Sequence, residues 1–352
     1  MVIDTDEKLA VLVASLPVDR WIALDTEADS LHAYPEKLCL LQVSVPGADE
    51  LVDPLARMNV VPLLDRLKRN ELILHGADYD LRLLGRAHGF VPRVVFDTME
   101  AARLVGQREF GLTHLVKKYL SVELEKGPQK ANWASRPLTE RMQTYALNDT
   151  RYLRGLADVL KAELREKGRL AWHEETCARL VLNCAQLREI DQEQVWRLPG
   201  SHQLDRLGLA VLRELWQWRD EEAVAANKPP YFILKHETLV ELASSVARSP
   251  LGNPNFPRWL PPSRQTGAIA AIERALALPL HARPEIKRYE GRRRNEEEKR
   301  RYQVLKKKRD GQAAALEIDP TLIASRATLE SLATDANGSP AQLMEWQRSL
   351  LL

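Results

Sequence analysis

Trp21-Ile22-Ala23-Leu24-Asp25-Thr26-Glu27-Ala28-Asp29 begins as a buried strand and ends by setting two carboxylates on one of its faces. Side chains alternate along a strand, so Trp21, Ala23, Asp25 and Glu27 point one way and Ile22, Leu24 and Thr26 the other. Two like charges two residues apart at the end of an apolar strand repel each other and lose hydration. Such a pair is stable only where something positive sits between them. A lone Asp-x-Glu is commonly a strand end turning into solvent, so its meaning depends on what the rest of the chain brings beside it.

Working outward, residues 5–16 read as a helix with Leu9, Val11, Leu12 and Leu16 on its apolar face. Strands are predicted over 38–45 and 50–54, separated by the turn Pro46-Gly47-Ala48-Asp49. A helix near 60–68 leads into a fourth strand over 72–77, and a fifth follows over 94–98. Alternating strand and helix signals predict an α/β domain with a mixed sheet.

The fourth strand runs into Asp78-Tyr79-Asp80-Leu81, where Leu81 and Leu84 mark a helical stripe and Asp80 falls in the first turn. An acidic residue there commonly serves as a dipole partner or cap. Asp78 can take that role and leave Asp80 facing the strand ends. His75 reads as a satisfied core histidine without a catalytic role. Asp97 precedes a helix over 99–105 and can cap it. After a short helix at 111–120, a polar loop reaches Asn132-Trp133-Ala134-Ser135-Arg136-Pro137-Leu138.

The helix predicted over 138–163 carries the strongest single signal. Its apolar stripe runs through Met142, Tyr145 and Ala146, then resumes at Tyr152, Leu153, Leu156, Val159 and Leu160. Asp149 occupies the slot between, where the 3.6-residue period calls for an apolar side chain. Tyr145 lies one turn before it on the same face. An inward Asp is costly unless it binds something.

Asp25, Glu27, Asp80 and Asp149 form a set of four carboxylates with no basic partner in their motifs. Hard cations can neutralise them, and oxygen-only ligands suit Mg²⁺ or Mn²⁺. Two such ions about 4 Å apart suit phosphodiester hydrolysis, activating water and stabilising charge on the phosphate.

The chain as a whole sets limits on function. Its 352 residues allow two or three domains, and 45% hydrophobic with 28% charged residues is an ordinary globular composition. No apolar run is long enough to span a bilayer, and the acidic N-terminus lacks the layout of a secretion signal. Cys39, Cys177 and Cys184 lack metal-ligand spacing and read as core residues of a reduced, cytoplasmic protein. Net charge is +2, but Lys287 to Asp310 holds twelve Lys/Arg against five Asp/Glu, leaving −5 for the rest. That basic segment fits a polyanionic partner, and equally a solvated helix with internal ion pairs.

Asp25-x-Glu27, His75-Gly76-x-x-x-Asp80-Leu81 and Tyr145-x-x-x-Asp149, in order, resemble the three motifs of the DEDDy 3'-5' exonucleases. Trp133-x-x-Arg136-Pro137-Leu138 resembles the ribonuclease D family in particular. The resemblance implies an RNase H-like (DnaQ-like) fold and two divalent metal ions held by Asp25, Glu27, Asp80 and Asp149. It also implies that Tyr145 and Glu27 attend the attacking water.

From about residue 165 strand signals disappear, and Arg197-Leu198-Pro199-Gly200-Ser201 reads as a linker. A repeat follows at an offset of 90: ten of the 25 positions in 219–243 are identical to 309–333, without a gap. The first copy, with Leu212, Leu215, Trp216, Trp218-Arg219 and Lys228-Pro229-Pro230, resembles the HRDC helical module. In the second, Lys306 and Lys308 replace Trp216 and Trp218. The expected organisation is therefore an exonuclease domain over 1–195, an HRDC bundle over 200–284 and a divergent HRDC-like bundle over 285–352. For Trp216 and Trp218 core packing is expected over base stacking, at least for Trp216 on the Leu212/Leu215 stripe. Arg292, Arg293, Arg294, Lys306, Lys307 and Lys308 are the expected RNA contacts.

The expected activity is a monomeric 3'-5' exoribonuclease. By the resemblance it trims RNA with a free 3' end, tRNA precursors and other small structured RNAs, to nucleoside 5'-monophosphates. Two alternatives stand beside it: a DNA-directed exonuclease sharing the same motifs, and a catalytically idle RNA-binding scaffold.

Overall fold

The computed structural model describes residues 2–18, 20–186, 191–286, 295–334 and 343–352. Strand β1 (Val2–Ile3) leads to α1 (Asp6–Ser15), whose first turn is capped by the Thr5 side chain accepting from the Lys8 amide. The carboxylate strand is β2 (Trp21–Ala28), followed by β3 (Leu38–Val45), β4 (Ala48–Val52), α2 (Val61–Leu67) and β5 (Glu71–Leu74). Helix α3 (Asp78–His88), β6 (Val94–Asp97), α4 (Thr98–Val105) and α5 (Leu112–Leu120) complete the alternation.

The sheet order is β1-β4-β3-β2-β5-β6. Strand β2 runs antiparallel to β3 and parallel to β5, so the sheet is mixed, as predicted. Strand β1, too short to leave a periodic signal, pairs parallel with β4 at the edge.

The alternation along β2 sorts two cores. Ile22 and Leu24 pack with α1, α2 and α3, while Ala23 joins Ile73, Phe96 and the inner faces of α4 and α5. Asp25 and Glu27 share Ala23's face.

The long helix predicted over 138–163 is two helices, α6 (Glu140–Arg151) and α7 (Leu153–Glu166), meeting at Tyr152. The apolar stripe continues, but its halves serve different cores. Met142 and Ala146 lie over Leu40 and Trp133, whereas Leu153, Leu156 and Leu160 lie over Ala23 and Phe96. One straight rod does not cover both, and the chain breaks between them. Helix α8 (Leu170–Ala185) returns to α3 and buries Cys177 and Cys184. All three cysteines are free and buried.

The chain divides into two compact units, one of residues 1–28, 38–187 and 292–352 and the other of 29–37 and 188–291. The second contains α9 (Arg206–Ala226), α10 (Pro230–Ile233), α11 (His236–Arg248) and α12 (Pro262–Ala277) around Leu209, Leu212, Leu215, Ile233, Leu242 and Ile272. Trp218 is buried in this core and Trp216 packs partly against it, so Trp218 is not a base-stacking residue. The stretch read as a linker is also packed, with Trp196 and Leu198 buried beside a turn at Gly200.

The first unit ends in α13 (Glu296–Leu316), α14 (Pro320–Ile323), α15 (Arg326–Thr334) and α16 (Glu345–Leu351). Helices α13 and α14 match α9 and α10 at the same offset of 90 and with equal lengths. A shared tertiary bond repeats too: Arg219 donates to the Leu234 carbonyl and Arg309 to the Ala324 carbonyl. The second copy does not stand alone. Ala313, Ile318 and Leu322 share a core with Ala101, Leu104 and Leu156, and Arg169 donates to the carbonyls of Leu104 and Leu316. Among the described residues, no helix is long and apolar enough to cross a membrane.

Candidate active site

Strand β2, helix α3 and helix α6 bring the four carboxylates to one place. Among the described residues, ligand oxygens of Asp25, Glu27 and Asp149 lie within 4.8 Å of one another. Asp80 sits just behind them, buried, with its Oδ1 accepting the Thr26 hydroxyl at 2.5 Å. Thr26 points to the opposite face of β2 from Asp25, so this bond ties α3 to the strand between the two motif-one carboxylates.

The electrostatics follow from crowding. Burial, then Asp80, Asp149 and Glu27 in that order, hold the Asp25 carboxyl far above its usual range. Burial and then Asp149 and Asp80 push Glu27 up to about 9. Burial lifts Asp80 to about 7 against the opposing bond from Thr26, and lifts Asp149 to about 7 against the opposing bond from Tyr145. Among the described residues no Lys or Arg forms an ion pair with any of the four. Carboxylates crowded together and partly withdrawn from water in this way are stable as anions only with added positive charge. A set of oxygen donors at this spacing fits divalent cations.

The turn holding α3 has its own support. Asp97 accepts from the amides of Gly76 and Ala77 and from those of Met99 and Glu100. It caps α4 and pins the β5–α3 turn at once, which resolves its role as structural. Asp78 does not cap α3: the cap position is Ala77, and Asp78 pairs with Arg82 one turn on. His75 bonds Thr98 through Nδ1, and burial lowers its pKa.

Tyr145 lies against Asp149, and burial followed by that charge pushes its phenol well above its usual value. A Cβ on Gly127 would fall 1.5 Å from the Tyr145 ring, so only glycine lets the ring sit here. Trp133 packs with its ring 6.0 Å from that of Tyr145. Arg136 fixes the loop that carries Trp133. Its Nη2 donates to Asp53 at 2.6 Å and to the Cys39 carbonyl at 2.8 Å, and its Nη1 reaches the Trp133 carbonyl at 2.7 Å. Removing one partner of a largely buried pair leaves the other uncompensated. Arg136→Ala is expected to lower the unfolding free energy of this unit by about 3 kcal/mol, read from urea denaturation.

The carboxylates open into a cleft of about 780 Å³, lined also by His75, His114, Lys126, Gly127, Gln129 and Tyr145. Lys126, Gly127 and Gln129 come from the polar loop ahead of α6, which shows no periodicity to mark them. Of the expected RNA contacts, Lys306, Lys307 and Lys308 are exposed on α13, and Arg292, Arg293 and Arg294 lie outside the described residues.

Comparison with known proteins identifies the family. The 3'-5' exonuclease family model matches residues 1–165 and the HRDC domain model residues 208–250. A ribonuclease D of Gluconacetobacter diazotrophicus is 31% identical, covering 99% of this chain and 90% of its own. The chain belongs to the ribonuclease D family. A Jannaschia ribonuclease D is 29% identical over 94% of this chain and 88% of its own. The crystal structure of Escherichia coli RNase D, described as an exoribonuclease involved in structured RNA processing, superposes with a TM-score of 0.76 at 25% identity. That match covers 100% of this chain and 98% of the other. As a ribonuclease D relative, the chain is a hydrolase, a 3'-5' exoribonuclease with an RNase H-like catalytic domain and a helical HRDC region. Its substrate is RNA.

Proposed function

We propose that Asp25, Glu27, Asp80 and Asp149 hold two divalent cations, Mg²⁺ or Mn²⁺, and that the centre removes nucleotides singly from RNA 3' ends. The observation that carries this reading is the crowded, partly buried carboxylate cluster, to which no Lys or Arg is ion-paired among the described residues. When bound, the cations would neutralise the carboxylates, activate water and stabilise charge developing on the scissile phosphate.

The chain's own residues supply the rest. Tyr145 is a neutral phenol at neutral pH whose hydroxyl donates to Asp149; turned to the water, that donor would orient it rather than deprotonate it. Glu27, in the same cluster, accepts from that water. The water oxygen bonds to phosphorus as the bond to the upstream O3' breaks. A proton passes to O3', and a nucleoside 5'-monophosphate leaves.

Tyr145→Phe keeps the ring against Gly127 and Trp133 but removes the donor. We expect kcat to fall by about 100-fold, with RNA affinity and melting temperature unchanged. Unchanged kcat removes Tyr145 from the mechanism.

The substrates are tRNA precursors and other small structured RNAs, and the chain works as a cytoplasmic monomer. The structured RNA in this choice follows the stated role of the E. coli protein, and the tRNA precursors follow the resemblance to the ribonuclease D family. Lys306, Lys307 and Lys308, with Arg292, Arg293 and Arg294, contact the RNA backbone. The domains of this reading are 1–195, 200–284 and 285–352. The test is digestion of matched RNA and DNA oligonucleotides with Mn²⁺, with products identified by mass. Faster loss of the DNA, or products carrying 3'-phosphates, overturns it.

A further inference from the structure

Gln42 lies on β3 directly opposite Asp25 in the antiparallel register, so the two side chains leave the same face of the sheet. It is 0% exposed, yet neither its Oε1 nor its Nε2 has a hydrogen-bond partner among the described residues. Its same-face neighbours on β3 locate it. Leu40 packs with Met142 and Ala146 of α6, and Ser44 donates to the Thr150 hydroxyl at 2.7 Å. Gln42 therefore lies between the sheet and α6, under the stretch of helix that carries Tyr145 and Asp149.

A carboxamide here opposes folding, because two polar atoms leave water and gain nothing in return. Met or Leu fills a similar volume without that penalty. Directly opposed residues of an antiparallel pair have Cβ atoms about 5 Å apart, within reach of a Gln amide for an Asp carboxylate. Carboxylates that ligate metals are in turn hydrogen-bonded by outer groups that fix their orientation.

We infer that Gln42 is a positioning residue of the acidic centre, its Nε2 amide donating to the Asp25 carboxylate in the cation-loaded enzyme. The inference rests on the metal-binding reading given above.

The test uses the full chain and Mn²⁺ alone, with binding followed by titration calorimetry for wild type, Gln42→Met, Gln42→Leu and Asp25→Asn. Melting in chelator is measured beside it. Gln42→Met or Gln42→Leu is expected to melt in chelator at or above the wild-type temperature. Its Mn²⁺ affinity is expected to fall about tenfold or more, and kcat to fall while KM for RNA holds. A purely structural residue would not move the metal affinity. Wild-type affinity in both variants while Asp25→Asn binds weakly overturns the role of Gln42 and leaves the metal site standing. Wild-type affinity in Asp25→Asn overturns both. Loss of fold in both Gln42 variants also overturns the inference, since the carboxamide would then serve the metal-free fold.

Discussion

Asp25→Asn is expected to slow RNA trimming by at least about a thousandfold and, in the same protein, to raise the melting temperature in chelator. The two effects have one origin. Asp25 is the most crowded carboxylate of the centre, partly buried and facing Asp80, Asp149 and Glu27. In the metal-holding role proposed above, its anion is the ligand most needed to hold positive charge against the phosphate. Without that charge it is the side chain most opposed by its neighbours. The amide keeps the shape, removes one repelling charge and cannot replace a carboxylate as a ligand. A gain of about 1 kcal/mol would raise the melting temperature by roughly 3 °C. RNA binding should persist, because the Lys306–Lys308 patch lies elsewhere on the first unit. Single-turnover trimming of an end-labelled RNA and melting in EDTA give the two readings. Trimming at the wild-type rate removes the catalytic assignment. A loss of activity with a lower melting temperature would make Asp25 a structural acceptor instead.

Which parts of this centre the sequence displays follows from range. Asp25, Glu27 and Asp149 each break a local apolar pattern, on a strand or a helix face, and the pattern alone marks them. Asp80 is marked less clearly, since Asp78 and Asp80 share one helix turn, and only the bond from Thr26 separates their roles. Gly127 and Gln129 sit in a loop with no period, and their meaning comes from the ring of Tyr145, which packs there from a separate helix. The break at Tyr152 is invisible because the stripe keeps its period through it. Only the presence of two cores, one around Trp133 and one around Phe96, requires the helix to divide. Likewise the repeat at an offset of 90 displays the second helical copy, but not that Ala313 and Ile318 pack against α4. Gln42 stands in the apolar run Leu40-Leu41-Gln42-Val43 as plainly as Asp149 stands in its helix, and the same question applies to it: what does a buried polar group meet there?

Divalent cations should stabilise the protein strongly near pH 8 and little near pH 5, a prediction that follows from the sign of the carboxylate shifts. Free Asp and Glu side chains titrate near 4, whereas in the folded centre Asp80 and Asp149 titrate at about 7 and Glu27 at about 9. Between those limits the folded state holds more protons than the unfolded one, so metal-free stability falls as pH rises. Below about 4 both states are protonated and the penalty is absent; above about 9 it is complete. Each pH unit of displacement is worth about 1.4 kcal/mol per fully displaced group, so the chelated protein should melt on the order of 20 °C lower at pH 8 than at pH 5.5. Mn²⁺ needs the ionised carboxylates and displaces their protons, so its affinity should climb steeply through the same interval. Saturating Mn²⁺ at pH 8 should recover the lost stability and exceed it, by the logarithm of its concentration over its dissociation constant. The measurement is a grid of melting temperatures over pH, with EDTA or Mn²⁺, for wild type and Asp149→Asn. In the variant both the slope of the chelated curve and the Mn²⁺ response should shrink together. A chelated curve that is flat from pH 5.5 to pH 8, beside a wild-type protein that binds Mn²⁺, would mean the carboxylates are already compensated within the chain. The crowding that gives the centre its need for cations would then be absent.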